Sequence, residues 1–450
     1  MTIRQNEFEN VNMREDNKLE KALLVGVFND QSDSGFEASL AELSELARAA
    51  GAIVIGQVIQ RHPVSDPAFL VGKGKIAEIA EQCITHEADL VIFNDELSGS
   101  QIRNIEKAVS CKVIDRTFLI LDIFARRARS HEGKLQVELA QQQYRLSRLT
   151  GLGQSLSRLG GGIGTRGPGE SQLESSRRHI NRRISVLRKG LQAIVKQREQ
   201  SRKRRLDNEL LIFAVVGYTN AGKSTLINRL CDSDLHAADQ PFATLDPSVR
   251  RLLLPDKTDV LLVDTVGLIR HLPHQLIDAF RSTLEEITRA DAILEVIDCS
   301  QEDLTSRLTV VDELINELGA ASLPRFYVFN KIDLLTKSQL REKQDSLTSE
   351  GQRNGSIFSR QPLHWVSAET GEGLDELEQN IMMFAQNQML SVKLSIPYRE
   401  MSTLHLIHRY GRVDSINYQS DYIEVSAHIR YSHYQLLRPF VMLAEKCEEM

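Results

Sequence analysis

The chain has 450 residues, 55 Lys plus Arg against 61 Asp plus Glu, and a formal net charge of −6. At about 150 residues per domain, that length allows roughly three domains, each able to bury its own core. An apolar fraction of 41% beside 26% charged residues excludes a wholly disordered or collagen-like chain, and the scattered cysteines (Cys83, Cys111, Cys231, Cys299, Cys447) form no C-x-x-C pair of the zinc or redox type.

Residues 1–20 form a polar tail without an apolar signal core, and the apolar stretch around Leu210 to Val216 is too short to span a bilayer. A reducing cytoplasm and no membrane are therefore expected. From residue 21 to 116, ALLVGVF (Ala22 to Phe28), AIVIGQVI (Ala52 to Ile59), ADLVIFN (Ala88 to Asn94) and CKVID (Cys111 to Asp115) read as short buried strands. The intervening FEASLAELSELARAAG and GKIAEIAEQCITHEA carry helical apolar spacing. Strands alternating with helices predict a parallel α/β domain.

Residues 117–206 change to long helices. Leu135, Leu139, Leu146 and Leu149 predict one apolar seam, with Gln142 filling a position. Leu173, Ile180, Ile184, Leu187, Leu191 and Ile194 predict a second, interrupted by Arg177. Two seams joined by one loop read as an antiparallel helical hairpin. The joining stretch, Gly151 to Gly169, holds eight glycines and one proline and can continue neither helix.

Charge is concentrated in this hairpin. From Arg126 to Arg205 there are 20 Lys plus Arg and five acids, a local net charge of +15 that leaves −21 for the rest of the chain. Such asymmetry predicts a polyanionic partner. Arg158 and Arg166 in the loop, and Arg177, Arg178, Arg182 and Arg183 on the second arm, are the candidate contacts. Few aromatics are interleaved, so phosphates and shape rather than stacked bases are the expected targets. RNA or ribonucleoprotein suits that chemistry, and charge alone leaves DNA open.

Residues 207–390 carry four nucleotide signatures, three of them directly after apolar strands. LLIFAVVGYTNAGKSTLINRL sets G-x-x-x-x-G-K-S between a strand and a helix: Gly217, Tyr218, Thr219, Asn220, Ala221, Gly222, Lys223 and Ser224, with Thr225 following. Glycines let backbone N–H groups converge on phosphate oxygens, Lys223 can reach the β and γ phosphates, and the Ser224 hydroxyl is a candidate Mg2+ ligand. In PFATLDPS, Phe242, Ala243, Thr244, Leu245 and Asp246 form a candidate switch. Thr244 is the candidate for the second Mg2+ hydroxyl and Thr258 the competing choice. VLLVDTVG ends in D-x-x-G (Asp264, Thr265, Val266, Gly267), where Asp264 can hold Mg2+ through water and the Gly267 N–H can sense the γ phosphate.

FYVFN leads into N-K-x-D (Asn330, Lys331, Ile332, Asp333). The Asp333 carboxylate can accept from N1–H and N2–H of guanine, whereas adenine presents an acceptor at N1. Asn330 and the Lys331 stem are expected to flank the base. In WVSAETGEGLDEL, Ser367, Ala368 and Glu369 form a loop from which the Ala368 N–H can meet guanine O6. The ordered set predicts a P-loop GTPase domain with a doubly wound sheet, with Lys223, Thr244 and Gly267 as its catalytic candidates. Residues 391–450 predict a small α/β appendage. The spacing of His405, His408, His428 and His433 matches no usual metal site.

GYTNAGKST, FATLD and DTVG, preceded by an α/β domain and a basic hairpin with GGIGTRGPGE, closely resemble the HflX family of ribosome-associated GTPases from about Lys21 to Ser391. The resemblance implies a largely cytoplasmic, partly ribosome-associated monomer that binds the large ribosomal subunit through its rRNA and splits stalled or idle ribosomes, notably under stress. It also implies a GTP/GDP cycle with Mg2+. An ATP-linked RNA-unwinding activity has been associated with the N-terminal part of some relatives, but VGKGKIAEIA (Val71 to Ala80) reads as a plain turn and helix start. Leu268 follows Gly267 where water-positioning GTPases use an amide side chain, so slow intrinsic hydrolysis is expected. The missing group can come from elsewhere in the chain, from the ribosome or from a monovalent cation; Asn220 looks like the K+ ligand of potassium-activated relatives. The alternative reading is a ribosome-assembly or RNA-binding GTPase in which nucleotide only regulates affinity.

Overall fold

The computed structural model describes residues 19–28, 35–61, 66–150, 168–205, 210–231, 248–270, 286–301, 304–354, 363–430, 434 and 436–446. The chain divides into two compact units, one comprising Met1–Ile123 and Tyr144–Arg177, the other Phe124–Gln143 and Arg178–Met450.

In the first unit, β1 (Lys21–Phe28), α1 (Phe36–Ala49), β2 (Ile53–Arg61), α2 (Lys73–Thr85), β3 (Leu90–Phe93), α3 (Gly99–Val109) and β4 (Lys112–Asp115) alternate as the apolar runs predict. The strands form a parallel sheet in the order β2-β1-β3-β4, and Leu23, Leu24 and Val25 of the central β1 are fully buried. Val71 to Ala80 is a turn followed by the start of α2, with Gly72 at its N-cap.

β4 ends on Asp115, a buried carboxylate that organises its surroundings. It accepts from the backbone N–H groups of Leu97 (3.1 Å) and Phe118 (2.9 Å) and from the Tyr144 hydroxyl (3.0 Å), and it pairs with Arg148. The Arg148 guanidinium lies over the Tyr144 ring at 3.9 Å. A buried carboxylate needs this many donors to offset lost hydration. At Gly99 an added Cβ would stand 2.4 Å from the Arg148 carbonyl oxygen, so the first turn of α3 accepts only glycine there.

Among the described residues the helical region holds α4 (Arg116–Arg127), α5 (His131–Thr150) and α6 (Pro168–Arg205). Ser130 separates the first two, its hydroxyl accepting from the Gly133 N–H at 2.8 Å as a helix cap. Within the second unit, Arg183 pairs with Glu138 and Gly190 lies against Leu135, so the partners run in opposite directions and the arms are antiparallel. Ile184 and Leu187 of α6 are buried. On α5 the buried positions are Glu132, Gly133, Gln136, Val137, Leu139, Ala140 and Tyr144, while Leu135, Leu146 and Leu149 are half-buried. The expected two-residue seam is therefore a broader face of helical period.

The rest of the second unit begins with β5 (Leu211–Gly217), α7 (Lys223–Leu230), β6 (Ser248–Leu253), β7 (Asp259–Asp264), β8 (Ala292–Asp298), α8 (Leu304–Glu317), β9 (Arg325–Asn330), α9 (Lys337–Asn354), β10 (Leu363–Trp365) and α10 (Leu374–Asn387). The sheet order is β10-β9-β8-β5-β7-β6, parallel except for β6 against β7. Leu226 and Ile227 of α7 and Leu377 and Ile381 of α10 pack with Phe213 and Val215 on one face; Val311 and Ile315 of α8 pack with Ala214 and Val216 on the other. Alternate side chains of one strand thus feed two helical layers, which makes the sheet doubly wound.

β11 (Met389–Pro397), β12 (Gly411–Tyr418), β13 (Tyr422–Arg430) and β14 (Val441–Lys446) form an antiparallel sheet ordered β12-β13-β11-β14, with α11 (Ser402–Tyr410) between β11 and β12 in the chain. Its buried face carries Val392, Leu394, Ile396, Val425 and Ile429 at alternate positions. His428 Nε2 lies 3.0 Å from Asp414 Oδ2. Among the described residues no helix is long and apolar enough to cross a membrane.

Glu295 sits fully buried on β8, 3.6 Å from Arg325. Burial, aided by Asp312 and opposed by Arg325, pushes its carboxyl up to about 8. An acid raised in the folded state stabilises below its unfolded value and loses that contribution as pH rises. Stability should therefore fall between about pH 4.5 and 8. Urea unfolding across that range should show the slope in the wild type and a flatter profile in Glu295→Gln.

Candidate nucleotide site

The site residues lie at the carboxyl ends of β5, β7, β8 and β9, where an open α/β sheet presents its loops. β5 runs into Gly217, and the loop through Gly222 delivers the chain to the N-terminus of α7. Gly222 has φ +89°, and an added Cβ would stand 2.2 Å from Asn330 Nδ2. That space belongs to the Asn330 amide. Its Nδ2 donates to the Ala221 carbonyl at 2.9 Å, and its Oδ1 accepts from the Ala368 N–H at 2.9 Å.

Lys223 is buried at the head of α7 and donates through Nζ to the carbonyls of Gly217 (3.0 Å) and Tyr218 (2.8 Å). An ammonium has three donors, so one is left to meet a phosphate oxygen. Burial pushes Lys223 down to about 8, against the opposing pull of Asp264. An arriving phosphate favours the charged form. The next residue, Ser224, donates its hydroxyl to Asp264 Oδ2 at 3.0 Å. A hydroxyl and a carboxylate at this separation are hard oxygen donors of the kind Mg2+ takes. Thr225 occupies the same first turn, half-buried.

The D-x-x-G segment is laced to the phosphate loop. Leu268 N–H donates to the Gly217 carbonyl at 3.1 Å, and Thr219 N–H donates to the Leu268 carbonyl at 2.8 Å. A Cβ on Gly267 would stand 3.0 Å from Thr219 Cγ2 and 3.2 Å from Lys223 Nζ. The Leu268 side chain is buried in the apolar cluster with Ile287, Ile293 and Val311, away from any water. The Tyr218 hydroxyl accepts from the Arg270 N–H at 2.8 Å, a tie that no sequence motif signals.

On the base side, the Ser367 hydroxyl donates to Asp333 Oδ1 at 2.6 Å and accepts from Thr370 N–H at 3.1 Å. Asp333 is exposed and its position is set by this serine. Lys331 has φ +69°, and its Nζ lies 2.9 Å from Asp298 Oδ2, which draws the stem across the end of β8. Asp298 was not among the sequence candidates, although it ends the apolar run AILEVID.

Several candidates have protein partners that the motifs do not signal. The Ala368 N–H, the candidate donor to guanine O6, donates to Asn330 Oδ1, so that Ala221 and Ala368 lie on opposite sides of one amide. Thr265 is fully buried and its hydroxyl donates to the Val215 carbonyl at 2.7 Å, tying β7 to β5. Ile332 is in the apolar cluster with Tyr327 and Phe329, and Val266 is buried. Glu369 is exposed, and Asn220, at φ +61°, is half-buried. Thr258 bonds Asp256 in the turn before β7, at the opposite end of the strand from Asp264 and about 20 Å away at 3.3 Å per residue. Phe242, Ala243, Thr244, Leu245 and Asp246 lie outside the described residues, as do Arg158 and Arg166.

Residues 37–125 match the family model for the GTP-binding GTPase N-terminal region, 127–205 that for the GTP-binding GTPase middle region, and 212–331 that for the 50S ribosome-binding GTPase. GTPase HflX of Caldanaerobacter subterraneus subsp. tengcongensis is 45% identical over 94% of this chain and 94% of its own length. GTPase HflX of Escherichia coli K12 is 41% identical over 90% of each. The chain belongs to the HflX family. As an HflX GTPase it binds guanine nucleotide, hydrolyses GTP to GDP and phosphate, and is ribosome-associated. Among solved structures, the SsGBP and GDP complex is 28% identical, covering 82% of this chain and 98% of its own, at a TM-score of 0.46.

Asn330→Ala removes one amide from two loops and leaves a carbonyl and an N–H unpaired. GTP and GDP affinity should both fall by about 10- to 100-fold, from roughly 0.5–1.5 kcal/mol per hydrogen bond plus desolvation. Titration with a fluorescent guanine nucleotide measures the loss.

Proposed function

We propose that this GTPase binds the large ribosomal subunit in its GTP state and dissociates stalled or idle 70S ribosomes, with hydrolysis releasing the factor. The observation that carries the reading is the division of α6 into two faces. Ile184 and Leu187 are spent on packing, while Arg178 and Arg182 are exposed on the other side of a strongly positive segment; Arg177, two turns before Ile184 on the apolar seam, is exposed as well. Phosphate oxygens are the natural partner of such a face, and rRNA supplies them. The 50S ribosome-binding match over residues 212–331 supports the large subunit as the docking surface.

Labour divides along the chain: residues 21–116 form the N-terminal α/β domain, 117–206 the rRNA-contacting hairpin with Arg158 and Arg166 at its loop, 207–390 the GTPase and 391–450 a small α/β appendage. The factor works as a cytoplasmic monomer, and stress increases the supply of idle ribosomes for it. Ser224 and Thr244 would hold Mg2+, with Asp264 reaching it through water, and the ion would neutralise charge on the β and γ phosphates. Lys223 holds the phosphates, the Gly267 N–H meets the γ phosphate, and Thr244 closes over it. Asp333, held by Ser367, reads the base edge.

The fork of Arg183 donates to Glu138 at 2.6 and 2.8 Å, so this arginine is committed to the hairpin and is the weakest of the rRNA candidates. Arg177→Ala with Arg182→Ala should lower the slope of log affinity against log salt by about 0.7–0.9 for each phosphate that is no longer neutralised, with GTP affinity unchanged. Sucrose-gradient sedimentation of 70S ribosomes tests the function itself. Splitting should occur with GTP and a non-hydrolysable analogue, and fail with GDP or Lys223→Ala. Binding to subunits without single-round splitting would favour the assembly-factor reading.

The buried Leu268 side chain directs the search for a water-positioning group elsewhere. K+ at Asn220 is one source and the ribosome another. GTP turnover measured in KCl and NaCl, with and without large subunits, separates them: a K+ role predicts faster turnover in KCl that Asn220→Ala abolishes, and equal rates remove Asn220 from that role.

A further inference from the structure

Cys83 lies in the last turn of α2 and Cys111 immediately before β4, 28 residues apart in sequence. Their Sγ atoms stand 3.7 Å apart, with the Cys111 S–H donating to Cys83. Both are free thiols. Cys83 is 4% exposed and Cys111 is half-buried, and the two sit in one apolar cluster with Ile79, Val109 and Val113. Cys299, by contrast, donates its thiol to the Asn330 carbonyl and has a structural partner already.

We propose that Cys83 and Cys111 are a reversible dithiol pair, closed to a disulfide by hydrogen peroxide, that clips α2 to the entry of β4. A disulfide needs sulfurs about 2.05 Å apart, so the closure requires an approach of under about 2 Å by side-chain rotation. The hydrogen bond from Cys111 lowers the Cys83 thiol, and giving that bond, together with burial, raises Cys111. One thiolate of the pair takes one oxygen from peroxide to become a sulfenic acid, releasing hydroxide. The other sulfur then attacks it, forming the S–S bond, and its proton leaves with the hydroxyl as water. Two thiols lose two electrons and two protons, and peroxide becomes two waters. Burial of Cys83 selects a small uncharged oxidant over a bulky disulfide.

The closed loop encloses β3 and α3. The first turn of α3 is the one whose Gly99 fits against the Arg148 carbonyl, at the end of α5 that precedes the glycine-rich loop. Oxidation thus stiffens the support from which that loop departs.

The test uses the full chain, reduced, treated with hydrogen peroxide, blocked with N-ethylmaleimide and digested without reductant. A peptide linking Cys83 to Cys111 should appear, disappear on treatment with dithiothreitol, and be absent from Cys83→Ala and from Cys111→Ser; the second, at the half-buried position, serves if the first fails to fold. Amide exchange across residues 99–109 should slow roughly tenfold on oxidation of the wild type and stay unchanged in either variant. Recovery of both cysteines as maleimide adducts, of either as sulfinic or sulfonic acid, or of links only to other cysteines overturns the pair. A Cys83–Cys111 link with unchanged exchange overturns the clip.

Discussion

One planar amide holds the nucleotide site together. Asn330 stands at the end of β9 and spans two loops, taking the Ala221 carbonyl on one side and the Ala368 N–H on the other. Its own carbonyl accepts from the Cys299 N–H at 3.0 Å, which ties the end of β9 to the end of β8. The phosphate loop, the base-side loop and two strand ends therefore cannot shift independently. Gly222 is the condition for this, because any Cβ there occupies the amide's place. The neighbouring positions then follow: Lys331 crosses toward Asp298, and Ser367 holds Asp333.

Two buried ionisable groups of the nucleotide-binding fold, one at a helix start and one within a strand, show how burial acquires opposite meanings. Lys223 is surrounded by carbonyl oxygens at a helix N-terminus, so desolvation leaves it poised to regain its charge when a phosphate arrives. Glu295 lies within the central strand β8, where no ligand charge reaches it, and burial raises its carboxyl. The first is chemistry at a helix N-terminus; the second is a constraint on stability. The hairpin follows a third pattern, with charge kept in water and burial left to Ile184 and Leu187.

The four strands of the first sheet, and β5, β7 and β9 of the second, were legible as apolar runs, and the turn before α2 as a glycine-bearing helix start; β6, β8 and β10 were not read, β6 because its two arginines break the apolar run and β10 because it is three residues long. The phosphate loop was legible because its spacing encodes a local event, a strand that turns through glycines into a helix. Partners were less legible. Thr265 sits in a motif that suggests ligand contact, yet its hydroxyl crosses to the Val215 carbonyl because β7 lies beside β5. Ile332 lies between two base-contact candidates, yet it turns into the apolar cluster below them. On the hairpin, Arg183 looks equivalent to Arg182, but the antiparallel register sets Glu138 opposite only one of them.

By itself the sequence determined most of the element types, the nucleotide signatures and the segregation of charge that its total of −6 conceals. Those properties are local: periodicity, backbone permissiveness and composition are written within a few residues. Only the tertiary structure decided which donor meets which acceptor. Asn330 and Ala221 are 109 residues apart, and Cys83 and Cys111 are 28 apart. Such pairs exist because strand order and register bring distant chain ends to one edge, and pairing energy is realised only where they meet.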